Sequence, residues 1–254
     1  MTQKDIEQLE QIDEMWMRNL FECSRNVPKD LLYLELGLIP ISYIIKGRKQ
    51  MFLHHILQQK EDSLLHRFFM AQMKSPSHND WVSSVLEDMI QLEINLELED
   101  IKYMKKEKYR TFVNDKVQQK AFEFLVERKS SRNSDRAKGK LLEYNELILS
   151  EYLSSSENDL SIVERKWLFK CRIEDIDLNT NRKWNNEESN CTKCINTLMN
   201  QKHLLECNYL MGKNKIITYI PTYEELFRGE LEEQIYISRL LKENIDRMKA
   251  QIPM

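Results

Sequence analysis

The residues best suited to chemistry lie late in the chain, in the segment CTKCINTLMNQKHLLEC, which reads Cys191-x2-Cys194-x8-His203-x3-Cys207. Thiolate and imidazole are soft or borderline donors, and four of them are what a tetrahedral Zn²⁺ site uses. The CxxC places two thiolates on one tight turn. His203 and Cys207 are four apart, a spacing that predicts one shared helical face. With all four positions supplied by protein, no coordination position is left for water, so the expected zinc is structural. Unrelated surface thiols are the alternative: a CxxC alone is common in reduced proteins, but one followed at this range by HxxxC is not. A catalytic cysteine would need a His and an acid gathered around an activated thiolate, and the local sequence offers neither.

The second group is a block of cations. The chain carries a formal net charge of −3, yet its charge is unevenly spread. Residues 1–101 sum to −7, residues 102–140 to +8 and residues 141–254 to −4. Lys102, Lys105, Lys106, Lys108 and Arg110 open the basic block, and Arg48 and Lys49 form a smaller cluster upstream. Such cations can contact phosphates, or can equally be a solvated helix face. Tyr103, Tyr109, Phe112, Phe122 and Phe124 interleave them, and their helical spacing predicts core packing rather than stacking on bases. His54 and His55 point about 100° apart on a helix, so they read as core-edge residues and not as a chelating pair. His66 sits among Leu65, Phe68 and Phe69, where packing is expected, and Glu174 with Asp177 has no feature of an acid–base site.

The elements that must position these groups read as helices. Only 5 Gly and 5 Pro occur in 254 residues, too few for many strands and tight turns or for a glycine-cradled phosphate site. Ile6, Leu9, Ile12, Trp16 and Leu20 form one apolar stripe, with Thr2 and Asp5 as its cap. Leu31 to Leu36 is a short apolar helix ended by a left-handed Gly37, and Pro40 opens a helix through Leu57 despite Gly47. Further helices are expected around Leu64 to Phe69, from a cap at Asn79 through Leu92, from Glu97, and through a long basic stretch to Leu125. Lys129 to Lys140 reads as a basic linker, dividing a helical domain of residues 1–128 from a second of residues 141–254. The second region should hold helices at Leu141 to Tyr152, Ile162 to Cys171 and Thr222 to Lys249, with Lys215 to Ile220 as a short strand candidate. The fold class is mainly α.

No apolar run approaches the roughly 18 residues of a membrane span, and the chain opens on polar residues. An intracellular location, cytoplasmic or nuclear, follows as the expectation, with five reduced cysteines and an unused Asn190-Cys191-Thr192 sequon.

Two parts of the chain resemble one family. Leu32 to Pro40 (LYLELGLIP), followed by Ile44 to Leu57 (IIKGRKQMFLHHIL) and Gln59 to Leu65 (QKEDSLL), resembles the segment after the polymerase palm of non-LTR (LINE-type) retrotransposon reverse transcriptases. The CCHC cluster is similar to the zinc motif near the C terminus of many such enzymes, and the two come in the family's order. The resemblance implies a thumb and linker that hold a template–primer duplex, with a zinc knuckle assisting. It places Arg48 and Lys49 near the nucleic-acid backbone and zinc on Cys191, Cys194, His203 and Cys207. Polymerase chemistry in that family uses an Asp-Asp turn to hold two Mg²⁺ ions, and no Asp-Asp dipeptide occurs in this sequence. The expectation is a nucleic-acid-binding accessory fragment, not an enzyme, with RNA or DNA as its partner. The alternative is a helical interaction or scaffold protein with structural zinc, engaging a protein partner through the C-terminal amphipathic helix.

Overall fold

The computed structural model describes residues 2–75, 77, 80–131, 139, 142–154, 160–176, 178, 191, 194, 197, 200–207 and 222–250. Among these the structure is mainly helical and has no strand. The helices are α1 (Gln3–Phe21), α2 (Lys29–Leu36), α3 (Ile41–Leu57), α4 (Leu64–Lys74), α5 (Trp81–Gln91), α6 (Leu98–Tyr103), α7 (Lys106–Ser131), α8 (Glu151–Ser154), α9 (Ile162–Arg172), α10 (Gln201–Glu206), α11 (Glu225–Arg228) and α12 (Leu231–Ala250). The strand candidate at 215–220 and most of the expected linker lie outside the described residues; Lys129 to Ser131 belong to α7. The chain divides into two compact units. One comprises Met1–Met15, Gly37–Ser131 and Glu146–Ile148; the other comprises Trp16–Leu36, Arg132–Asn145 and Leu149–Met254.

In the first unit α7 is the spine. Tyr109, Val113, Val117, Ala121 and Leu125 recur every fourth residue and are all buried, which makes one ridge along the helix. Leu53, Ile56 and Leu57 of α3, Phe69 of α4, Val82, Val85 and Met89 of α5, Leu92 and Ile94 just after it, and Ile101 of α6 complete its core with the first three of these. Gly47 explains itself here. A Cβ at that position would lie 3.0 Å from Val117 Cγ2 and 3.8 Å from Val113 Cγ1, so the missing side chain lets α3 lie close along α7. Helix α5 is capped by Asp80, whose side chain accepts from Ser83 N at 2.6 Å; the expected cap, Asn79, lies outside the described residues. The cap on α1 is the expected one: Asp5 N donates to Thr2 Oγ1 and Thr2 N to Asp5 Oδ2. The apolar stripe of α1 differs from expectation, because Leu9, Ile12, Trp16 and Leu20 are exposed while Met17 is buried. Amphipathic periodicity says that a face can be covered, not that the chain supplies the cover.

The second unit is built around α2, which is apolar nearly all round and has seven buried residues from Asp30 to Leu36. One of them is a carboxylate: Glu35 is fully buried. Arg172 Nε donates to Glu35 Oε1 at 2.6 Å and Tyr152 Oη donates to the same oxygen at 2.7 Å. Tyr144 Oη donates to Oε2 at 2.8 Å, and Ser150 Oγ to the Glu35 carbonyl at 2.9 Å. The other side of the guanidinium donates to Gln234 Oε1 of α12 and to the carbonyls of Leu226 and Phe227 in α11. Desolvation works against the charge on Arg172, but the adjacent Glu35 carboxylate outweighs it and holds the guanidinium protonated more firmly than usual. Burial, and then the same carboxylate, push both tyrosine hydroxyls well above their ordinary pKa. This network also explains why residues 142–150 are non-helical, where a helix through Leu141 to Tyr152 was expected. An irregular backbone brings Tyr144 and Ser150 to one carboxylate, and only the short α8 remains helical. Helix α9 begins with a complete capping box, Ser161 and Glu164. In α12, Ile237, Leu241 and Ile245 are buried within this unit.

Candidate functional site

Helix α10 carries His203, one of four residues in the second unit that could hold a metal ion. Its N-cap, Asn200, accepts from His203 N at 2.7 Å and fixes where the helix starts. Cys207 is the C-cap, with φ −73° and ψ 106°, so it lies just past the last turn and not on the helix as its spacing implied. The turn out of the helix still leaves its sulfur beside the others. Cys191 N donates to Thr197 O at 2.7 Å, closing the segment that carries Cys191 and Cys194. Two amide side chains hold α10 against its neighbours: Gln201 Nε2 donates to Cys171 O of α9, and Asn244 Nδ2 of α12 donates to Leu204 O, each at 2.8 Å. Sequence reasoning missed Asn200, Gln201 and Asn244, although an Asn immediately before an apolar helical run was a readable cap signal.

The donor atoms of Cys191, Cys194, His203 and Cys207 all lie within 4.8 Å of one another, so they could hold a metal ion. Cys194 Sγ and Cys207 Sγ are 3.8 Å apart. A tetrahedron with metal–sulfur bonds of about 2.3 Å has edges of about 3.8 Å. His203 Nε2 is shut off from solvent and has no hydrogen-bond partner among the described residues. A buried ring nitrogen without a partner is costly unless something else occupies its lone pair. Desolvation first, then the neighbouring Cys207 and Cys191 thiols, push the Cys194 thiol up to about 11. Without a cation this thiol holds its proton; a bound metal ion reverses that balance.

A different feature lies on the first unit. A cavity of about 770 Å³ opens between the C-terminal half of α3 and the α6–α7 connection. Four cations line it, Lys102, Lys105, Lys106 and Arg110, and none of its lining residues is acidic. Lys102 has a 3.8 Å pair with Glu61, whose side chain is 83% exposed, which is a weak interaction. Lys105, Lys106 and Arg110 are exposed and make no ion pair among the described residues. The first helical bond of α7, Tyr109 N to Lys105 O, leaves the preceding amides of this 26-residue helix without helical acceptors beside the same cavity.

Of the seven cations singled out in the sequence, the structure therefore gathers four. Lys108 is exposed on α7 but does not line the cavity. Arg48 is exposed on α3, also away from it. Lys49 is engaged: its Nζ lies 2.9 Å from Asp88 Oδ2 and 2.7 Å from Ser84 Oγ. Among the interleaved aromatics Tyr109 is buried as expected, whereas Tyr103 is 78% exposed and lines the cavity together with Phe52. His54 is buried, stacks on Tyr109 with ring centroids 5.1 Å apart, and shares a 2.9 Å hydrogen bond with Met104 O. His55 is exposed.

Comparison with family models, with curated proteins and with solved structures finds no match. Among the described residues, no helix is long and apolar enough to cross a membrane.

Proposed function

We propose that this chain is a nucleic-acid-binding accessory region of the kind that follows the palm in LINE-type reverse transcriptases, without a polymerase site of its own. The observation that carries this reading is the cation-lined, carboxylate-free cavity on the first unit. In a chain of net charge −3, four cations converging with no acid among them favour a polyanion at that place. The ordered motif resemblance supports the choice of nucleic acid over other polyanions. Zn²⁺ fits the Cys191, Cys194, His203 and Cys207 set. Its part here is to cross-link α10 to the segment of Cys191 and Cys194, a structural contribution with every ligand drawn from protein.

The test is binding of the zinc-loaded chain to single-stranded and hairpin RNA across a salt series. Each phosphate contact to a single strand contributes about 0.7 to the slope of log K against log salt. Replacing Lys105, Lys106 and Arg110 with Ser should therefore lower the slope by about 2. An unchanged slope and affinity in that variant would sink the assignment of the cavity.

A second reading, a helical interaction protein, is favoured by the exposed Leu9, Ile12, Met15, Trp16 and Leu20 on α1. It predicts a defined oligomer or partner complex abolished by Ile12→Ser with Trp16→Ser, and no RNA binding at physiological salt.

A further inference from the structure

Tyr103 is one of the most exposed large side chains of the first unit. It closes α6 and presents 78% of its surface to solvent, yet it is not on a loose segment. The backbone is anchored on both sides of it by side chains of α3 and its C-cap. Gln58 Nε2 donates to the Lys102 carbonyl, and the His54 ring nitrogen bonds the Met104 carbonyl at 2.9 Å. His54 is itself locked by its stacking on the buried Tyr109 ring. The ring of Tyr103 is thus an exposed aromatic surface on a rigid mount, with Lys102 Nζ 5.8 Å from its centroid. Beside it lie Lys105, Lys106 and Arg110. The last two are one helical turn apart on α7 and so share a face.

We infer that this cavity receives one unpaired nucleotide of a single strand, its base stacked on Tyr103 and its flanking phosphates on Lys105, Lys106 and Arg110. The inference rests on the nucleic-acid reading above and adds to it the strand state. Duplex bases already stack on their neighbours and show only their edges along the helix, so a ring at the side of a strand meets a base face only when the base is unpaired. Phosphate binding alone would need the cations and would leave an anchored, exposed aromatic without a role. A cavity of about 770 Å³ is also larger than one phosphate requires and falls within the range of small-ligand sites.

The test uses the full zinc-loaded chain and an RNA oligonucleotide carrying one fluorescent aminopurine, presented as a single strand and within a duplex. Binding should further quench the probe in the single strand by stacking on Tyr103 and leave the signal of the duplex unchanged. Tyr103→Ala should abolish the quench and weaken single-strand binding about 10-fold or more, while leaving the salt slope unchanged because no charge is removed. Tyr103→Phe should keep both quench and affinity. Since Tyr103 is exposed, neither substitution should disturb folding, and unchanged helicity by circular dichroism checks that. A quench that survives Tyr103→Ala, or a duplex bound as tightly as the single strand, would overturn the stacking site while the nucleic-acid reading stands. Absence of salt-dependent binding to either form would overturn both.

Discussion

Arg172 is a point at which the second unit is sensitive to a single change. Replacing it with Met removes the charge partner of a carboxylate that is fully buried. Breaking such a pair from one side costs about 3–5 kcal/mol, because the remaining charge stays desolvated. Hydrogen bonds from Tyr144, Tyr152 and Ser150 to Glu35 persist and moderate the loss. Against that, the Leu226 and Phe227 carbonyls and Gln234 Oε1 lose a donor, which adds about 1 kcal/mol or more. The expected net destabilisation is about 4 kcal/mol, a large share of the 5–15 kcal/mol typical of a folded domain. Urea unfolding of the zinc-loaded protein measures it, followed by circular dichroism and by the fluorescence of Trp167, whose indole donates to Ser238 O within the same unit. Adding Glu35→Gln to Arg172→Met removes the stranded charge and should recover at least half of the loss. A single variant within about 1 kcal/mol of the parent, or a double variant less stable than the single, would refute the argument that an uncompensated carboxylate is what hurts.

Three further outcomes follow from other parts of the molecule. The zinc reading predicts one equivalent of metal per chain and a thiolate-to-metal absorption band on cobalt substitution; chelation should raise amide exchange in α10, and a chain that purifies metal-free and binds no cobalt would count against it. Glu164 is held down to about 2, from 4.5, by hydrogen bonds from the Ser161 backbone and hydroxyl and then by Arg239. Its folded pKa is depressed, so its contribution is present above about 4.5 and is lost as the pH falls toward 2; a stability difference between parent and Glu164→Ala should shrink over that window, and one that grew would be contrary. Gly47→Ala gains about 1 kcal/mol of helix propensity but places a Cβ 3.0 Å from Val117 Cγ2. Overpacking of about 1–3 kcal/mol should win, and a double-mutant cycle with Val117→Ala, read by denaturation, should show favourable coupling between the two changes.

The sequence by itself determined the helical class, most helix positions, the Thr2 cap, the left-handed Gly37 at φ 61° and the four residues that could hold a metal ion. Each of these depends on short-range regularities: a period of 3.6, a cap three residues from its partner, a ligand spacing within one loop and one turn. Tertiary structure decided what those regularities leave open. It chose which cations converge, taking Lys102, Lys105, Lys106 and Arg110 to one cavity and spending Lys49 on Asp88. It left Tyr103 exposed and buried Tyr109, although both sit at helical spacing in the same basic block. It kept residues 142–150 out of a helix because a carboxylate more than a hundred positions earlier collects the hydroxyls of Tyr144 and Ser150. The physical reason is common to all three. Periodicity fixes which side chains share a face, but burial, ion pairing and hydrogen bonding depend on what stands opposite, and that is set by contacts between residues far apart in the chain.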